Sequence, residues 1–206
     1  MIQLEKYEWC DFWWGETDEH EHPRVLLVGD SITKGYRSTV SGLLKGTAYV
    51  DMLATSRAVD NPAFLFELSY ITGEHSLPHD LVHFNNGLHG SHLTPEAYIN
   101  GMDQAIHLLL DANPDMRLVL VTSTPVTVRE DVNTLHPELN EMVIRRNEQV
   151  YALASKYTLP VNDLYTSMLE KPEFRSADGY HYNLEGQKYQ ADIVANLIRQ
   201  ELAGMR

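Results

Sequence analysis

Short apolar runs alternate with stretches of helical spacing along most of this 206-residue chain. Residues 25–28, VLLV, form a β-branched-rich run that suits a strand buried on both faces, and it stops at Gly29-Asp30-Ser31, where strand chemistry gives way to turn chemistry. From Ile32 the apolar positions follow a period of about 3.6 residues, with Ile32, Tyr36, Val40, Leu43 and Leu44 on one side. Ser31 is therefore expected where a parallel strand hands over to a helix, the edge of an open α/β sheet at which ligands usually bind.

The same alternation recurs down the chain. Residues 47–53, 79–84, 117–121 and 159–162 read as further strands separated by helical patterns. Asn61-Pro62 opens a helix with Phe64, Leu65, Leu68 and Ile71 on its apolar side. Thr94 caps another, with Pro95 at its first position, which runs through Ile106 and Leu110 to Asn113-Pro114. After a loop up to about His136, Pro137 starts a long amphipathic helix ending near Lys156. Residues 163–169 predict a helical turn, 172–182 a loop and 184–202 a closing helix. Five apolar strands separated by helices predict an α/β fold, a parallel sheet covered on both faces with right-handed crossovers. Residues 24–206 read as one domain. Residues 1–23 mix acids with Trp9, Phe12, Trp13 and Trp14, and read as an N-terminal arm that packs its aromatics onto the domain or over a cleft.

Charge narrows the partners. With 16 basic and 29 acidic residues the formal charge is −13, which argues against nucleic acid or an anionic membrane and leaves a neutral or cationic substrate easier to accommodate. A single cysteine, Cys10, excludes an internal disulfide. No apolar run approaches the length of a spanning helix, and Glu5, Glu8 and Asp11 stand where a leader needs basic and then apolar residues. A cytoplasmic location is expected for the chain as written; a secreted or periplasmic one applies if a leader has been trimmed.

The turn at Ser31 reads G-D-S-I. It has neither the G-x-G-x-x-G of a dinucleotide site nor the order of a P-loop, and Thr33 stands where a nucleophile elbow needs glycine. A serine at a strand-to-helix turn is often only a helix cap. Asp178-Gly179-Tyr180-His181, just before the last helix, adds chemistry. A nucleophilic serine needs a base, and the base works best when a carboxylate fixes its tautomer; Asp178 and His181 can supply both from one loop.

In order and spacing the two motifs resemble the first and fifth blocks of the SGNH, or GDSL, hydrolase family, and residues 182–186, YNLEG, look like that family's helix start. The resemblance spans residues 24–198. It implies a three-layer αβα sandwich with about five parallel strands in flavodoxin-like order. It also implies a carboxylic ester hydrolase without a cofactor, in which Ser31 is the nucleophile, His181 the base and Asp178 its orienting acid.

The family's other blocks match less well. Its third block places an asparagine after the third strand to hold the oxyanion; here Gly87-Leu88-His89-Gly90 puts His89 in that place, with Asn86 the alternative donor if the strand ends differently. The second block has no glycine, leaving the backbone N–H of Ser56 or Arg57, with Arg57 adding charge, or a plain loop. His92 is expected to line the cleft beside His89. Ten histidines raise a metal, but neither His20/His22 nor His89/His92 has a carboxylate at a familiar ligand spacing, and His75, His79 and His83 straddle a loop and a strand; no metal is expected. The expected activity is hydrolysis of a small acyl ester, an O-acetyl group on a carbohydrate in the first instance. The alternatives are a non-catalytic carbohydrate- or protein-binding module on the same scaffold, an acyltransferase and a lipid acyl esterase.

Overall fold

The computed structural model describes residues 3–73 and 76–205. The central strand is β2, Arg24–Gly29, buried along its whole length. Side chains alternate across a strand, so Leu26 and Val28 enter one core while Val25 and Leu27 enter another. The first core is closed by α2 (Pro62–Thr72), α3 (Pro95–Ala112) and α4 (Pro137–Tyr157). The second is closed by α1 (Ser31–Leu43), α5 (Leu164–Leu169) and α6 (Leu184–Ala203). Each fully buried aliphatic side chain contributes about 1.5–3 kcal/mol, and β2 places four of them, which is why its sequence is a continuous apolar run with no polar alternation.

Around β2 the sheet adds β3 (Tyr49–Thr55), β4 (Leu81–Phe84), β5 (Arg117–Val121) and β8 (Val161–Asn162), all in parallel pairings. The sheet order is β1-β3-β2-β4-β5-β8. Counted over the parallel strands alone this is the flavodoxin-like order 2-1-3-4-5, so the expected three-layer αβα sandwich is observed. The chain turns from one half of the sheet to the other at β2, and Ser31 stands two residues beyond its last residue.

Two features depart from the sequence expectation. The arm contributes β1 (Cys10–Trp13), an antiparallel edge strand with Cys10 opposite Thr55 and Trp13 opposite Met52. Its run of bulky residues has no period-two alternation to announce a strand. The segment expected as a loop up to His136 holds a small hairpin, β6 (Thr127–Val128) and β7 (Asp131–Leu135). Its residues are mostly part-exposed, so apolar patterning did not mark it. No helix among the described residues is long and apolar enough to cross a membrane.

Candidate active site

Asp30 follows β2 and caps α1, its carboxylate accepting from Ile32 N at 2.8 Å. Ser31 is thereby fixed as the first helical residue, whose backbone N–H has no intrahelical acceptor. Its Oγ lies 2.8 Å from His181 Nε2, and His181 Nδ1 lies 2.6 Å from Asp178 Oδ2. The other Asp178 oxygen accepts the backbone N–H groups of His181 at 2.8 Å and Tyr180 at 2.9 Å. Burial pushes the Asp178 carboxyl up, but these two amides and the imidazole outweigh it and hold the group below its usual range. With Nδ1–H donated to Asp178, Nε2 becomes the acceptor facing the serine. The fold thus brings together Ser31, His181 and Asp178, 150 residues apart at the extremes of the Ser31–His181 contact.

The loop carrying Asp178 and His181 is braced from three sides. Thr127 N donates to Gly179 O at 2.9 Å and Glu130 N to Ala177 O at 2.6 Å, so the hairpin clamps it. Buried Arg175 donates to Val132 O at 2.7 Å and to the carbonyl of Leu169. Gly179 adopts φ +90°, and a Cβ there would meet Thr127 O at 2.6 Å, so only glycine fits between the two motif residues.

A cavity of about 290 Å³ opens above the serine, lined by Glu5, Ser31, Leu88, His89, Ser91, Val126, Leu139, Met142, Tyr180 and His181. His89 therefore shares the cavity with the nucleophile. Asn86 does not line the cavity: its side chain is 6% exposed and its Nδ2 donates to Arg57 O at 2.8 Å. Gly87 packs so tightly on Ser123 that a Cβ would fall 1.6 Å from its Oγ.

Arg57 is likewise outside the cavity. Its guanidinium pairs with Glu67 at 3.1 Å and reaches Trp9 O at 3.3 Å, drawn to the arm. The two backbone donors raised for the second block are occupied, Ser56 N by Trp9 O and Arg57 N by Thr55 Oγ1. The first is a consequence of the unforeseen strand, since extending β1 by Trp9 consumes an amide that a bare loop would leave free; the second is a local turn onto the Thr55 hydroxyl. His92 is also absent from the cavity wall and pairs with Asp60 at 3.0 Å.

The His89 loop has its own brace. Arg146 of α4 is 3% exposed and donates to the carbonyls of Gly87, His89 and Gly90 at 3.0, 2.7 and 2.5 Å. Its guanidinium also stacks over the Tyr98 ring, whose hydroxyl donates to Asn86 O. Across the loop, Glu5 accepts from Gly90 N at 2.9 Å and lies 3.6 Å from His89 Nδ1. Among the described residues no three His, Cys, Asp or Glu side chains are grouped to hold a metal ion, and His75 lies outside those residues.

No family model and no curated protein matches the chain. Solved structures do. A carbohydrate acetylesterase from Sinorhizobium meliloti superposes with a TM-score of 0.66 at 18% identity, covering 85% of this chain and 98% of that one. The aryl esterase of M. smegmatis gives 0.67 at 18% identity over 86% and 99%. A lipase/acylhydrolase from Enterococcus faecalis gives 0.65 at 19% identity over 87% and 96%. The chain has the SGNH hydrolase fold.

Within that SGNH fold, sequence reasoning missed the supports of the site. Arg146 and Asn147 were detectable, since they share the buried stripe of α4 with Val143, Val150, Leu153 and Ala154, positions where a charged or amide side chain is out of place unless it has partners. Glu5 gave no such sign. It reaches the cavity only because β1 carries the arm along the sheet edge.

Proposed function

We propose that this protein is a serine esterase that removes a small acyl group, an O-acetyl in the first instance, from a carbohydrate ester through an acyl-enzyme. The hydrogen-bonded series Asp178–His181–Ser31 carries this reading. Ser31 Oγ attacks the ester carbonyl as His181 Nε2 takes its proton, and Asp178 steadies the imidazolium. In this reading the Ser31 N–H and the His89 ring, which lines the same cavity, hold the oxyanion, each donor being worth about 10²–10³ in rate. His181 then protonates the departing alcohol, and in the second half-reaction it draws a proton from water that releases the acid.

The cavity volume, about 290 Å³, is at the small end of ligand pockets and suits a short acyl group with one sugar ring rather than a long lipid chain. The acetylesterase of similar fold supports the acetyl assignment. The test is turnover of p-nitrophenyl acetate by the protein and its Ser31→Ala variant, with acetate release from a panel of acetylated oligosaccharides. Turnover confined to the unaltered protein is expected. Turnover equal in both, or absent from both, overturns the proposal.

A further inference from the structure

The cavity wall has an uneven charge. Apart from the imidazoles of His89 and His181, its one charged side chain is Glu5, and neither Lys nor Arg contributes to it. Glu5 is carried there by the arm and held in place. Its Oε1 takes the Gly90 N–H at 2.9 Å, its own N–H donates to Glu8 Oε1 at 2.9 Å, and Glu8 in turn accepts from Ser56 Oγ at 3.2 Å. No hydrogen bond among the described residues engages Glu5 Oε2. Tyr180, 41% exposed, lines the same cavity with the apolar side chains of Leu139, Met142 and Val126. A carboxylate and an aromatic ring set in a largely apolar hollow form the surroundings that attract an organic cation, by charge and by the ring's quadrupole.

We infer that Glu5 determines specificity, and that the preferred substrates are esters whose alcohol portion carries positive charge, such as an acylated amino sugar or a quaternary ammonium alcohol. This deepens the esterase reading and rests on it. The acyl group and the nucleophile are unchanged; the leaving alcohol places its cation against Glu5 and Tyr180. The formal charge of −13 adds long-range attraction for such molecules.

Acetylcholine and 3,3-dimethylbutyl acetate, which differ in replacing the quaternary nitrogen by carbon, test the inference. The ratio of their kcat/KM values should be on the order of tenfold in favour of the cation, as for one charge pair near a surface. It should fall toward unity in Glu5→Gln and invert in Glu5→Lys. Because the ratio is taken within each variant, any general loss of activity cancels. The same comparison is made by calorimetric binding of both esters to Ser31→Ala, which needs no turnover. A ratio near unity in the unaltered protein, or one that Glu5→Gln leaves intact, overturns the inference. Absence of p-nitrophenyl acetate turnover overturns the esterase reading separately, while the binding ratio still decides whether the cavity selects cations.

Discussion

The sheet carries a histidine–carboxylate pair at each end, and the two pairs differ in exposure and in their third partner. At the carboxyl ends of the strands, His181 and Asp178 lie 2.6 Å apart with side chains 44% and 47% exposed, and the ring's far nitrogen meets a serine hydroxyl. At the opposite end, His79 and Asp51 lie 3.0 Å apart with side chains 2% and 0% exposed, and the third partner is Arg24, which also ties down the carbonyls of Gly15 and Glu16. In the proposed reaction the same pair of residue types serves proton transfer where it is open to a cleft, and it staples the arm where it is sealed. What separates them is access and a neighbour able to act as nucleophile.

Substitutions can break this contrast. The largest effect is expected from His181→Ala, a fall in kcat of about 10⁴-fold or more with urea-denaturation stability nearly unchanged, because a half-exposed ring contributes little to the core. Asp51→Ala should do the reverse. It strands Arg24 without its carboxylate, costing about 3–5 kcal/mol in the same denaturation assay while kcat per folded molecule stays within about twofold.

Next in size, His89→Ala should lower kcat by about 10²–10³-fold with little change in KM; the same loss in Asn86→Ala instead would reassign the oxyanion donor.

The most gradual effect is a slope with pH. His83 in β4 is fully buried, its Nε2 bonded to Asn162, and burial pushes its pKa down to about 3. The unfolded imidazole titrates near about 6.5, so between those values only the unfolded chain binds the proton. Stability is then full above about pH 6.5 and falls on acidification, by up to about 1.4 kcal/mol per pH unit. His83→Leu should flatten that stretch of the stability curve. Asp178, whose carboxyl is held below its usual range, has the same sign at lower pH: its contribution is present above about pH 4 and is lost as the pH falls through its depressed value.

The same contrast marks what sequence patterning can reach. Strands buried on both faces, such as β2 and β5, announce themselves as apolar runs, and the parallel order follows from helices between them. Ser31, Asp178 and His181 were legible because their spacing within each motif is local. His89 was legible only as one of two candidate donors, since the register of a loop depends on where the strand before it stops and on Arg146, 57 residues away from the carbonyl it holds. Glu5, β1 and the occupied amide of Ser56 were not legible, because each is a consequence of pairing between distant segments whose own patterns are weak.

The edge position of β1 has a further bearing on the cleft. A four-residue strand with a neighbour on one side only detaches at lower cost in free energy than the inner strands of the same sheet. Its departure would carry off one wall of the cavity and the negative charge on it, while leaving the serine and its base in position. On the proposed reading, substrate selection and acyl chemistry are housed in parts of the molecule with unequal persistence, and the first can be retuned or lost without rebuilding the second.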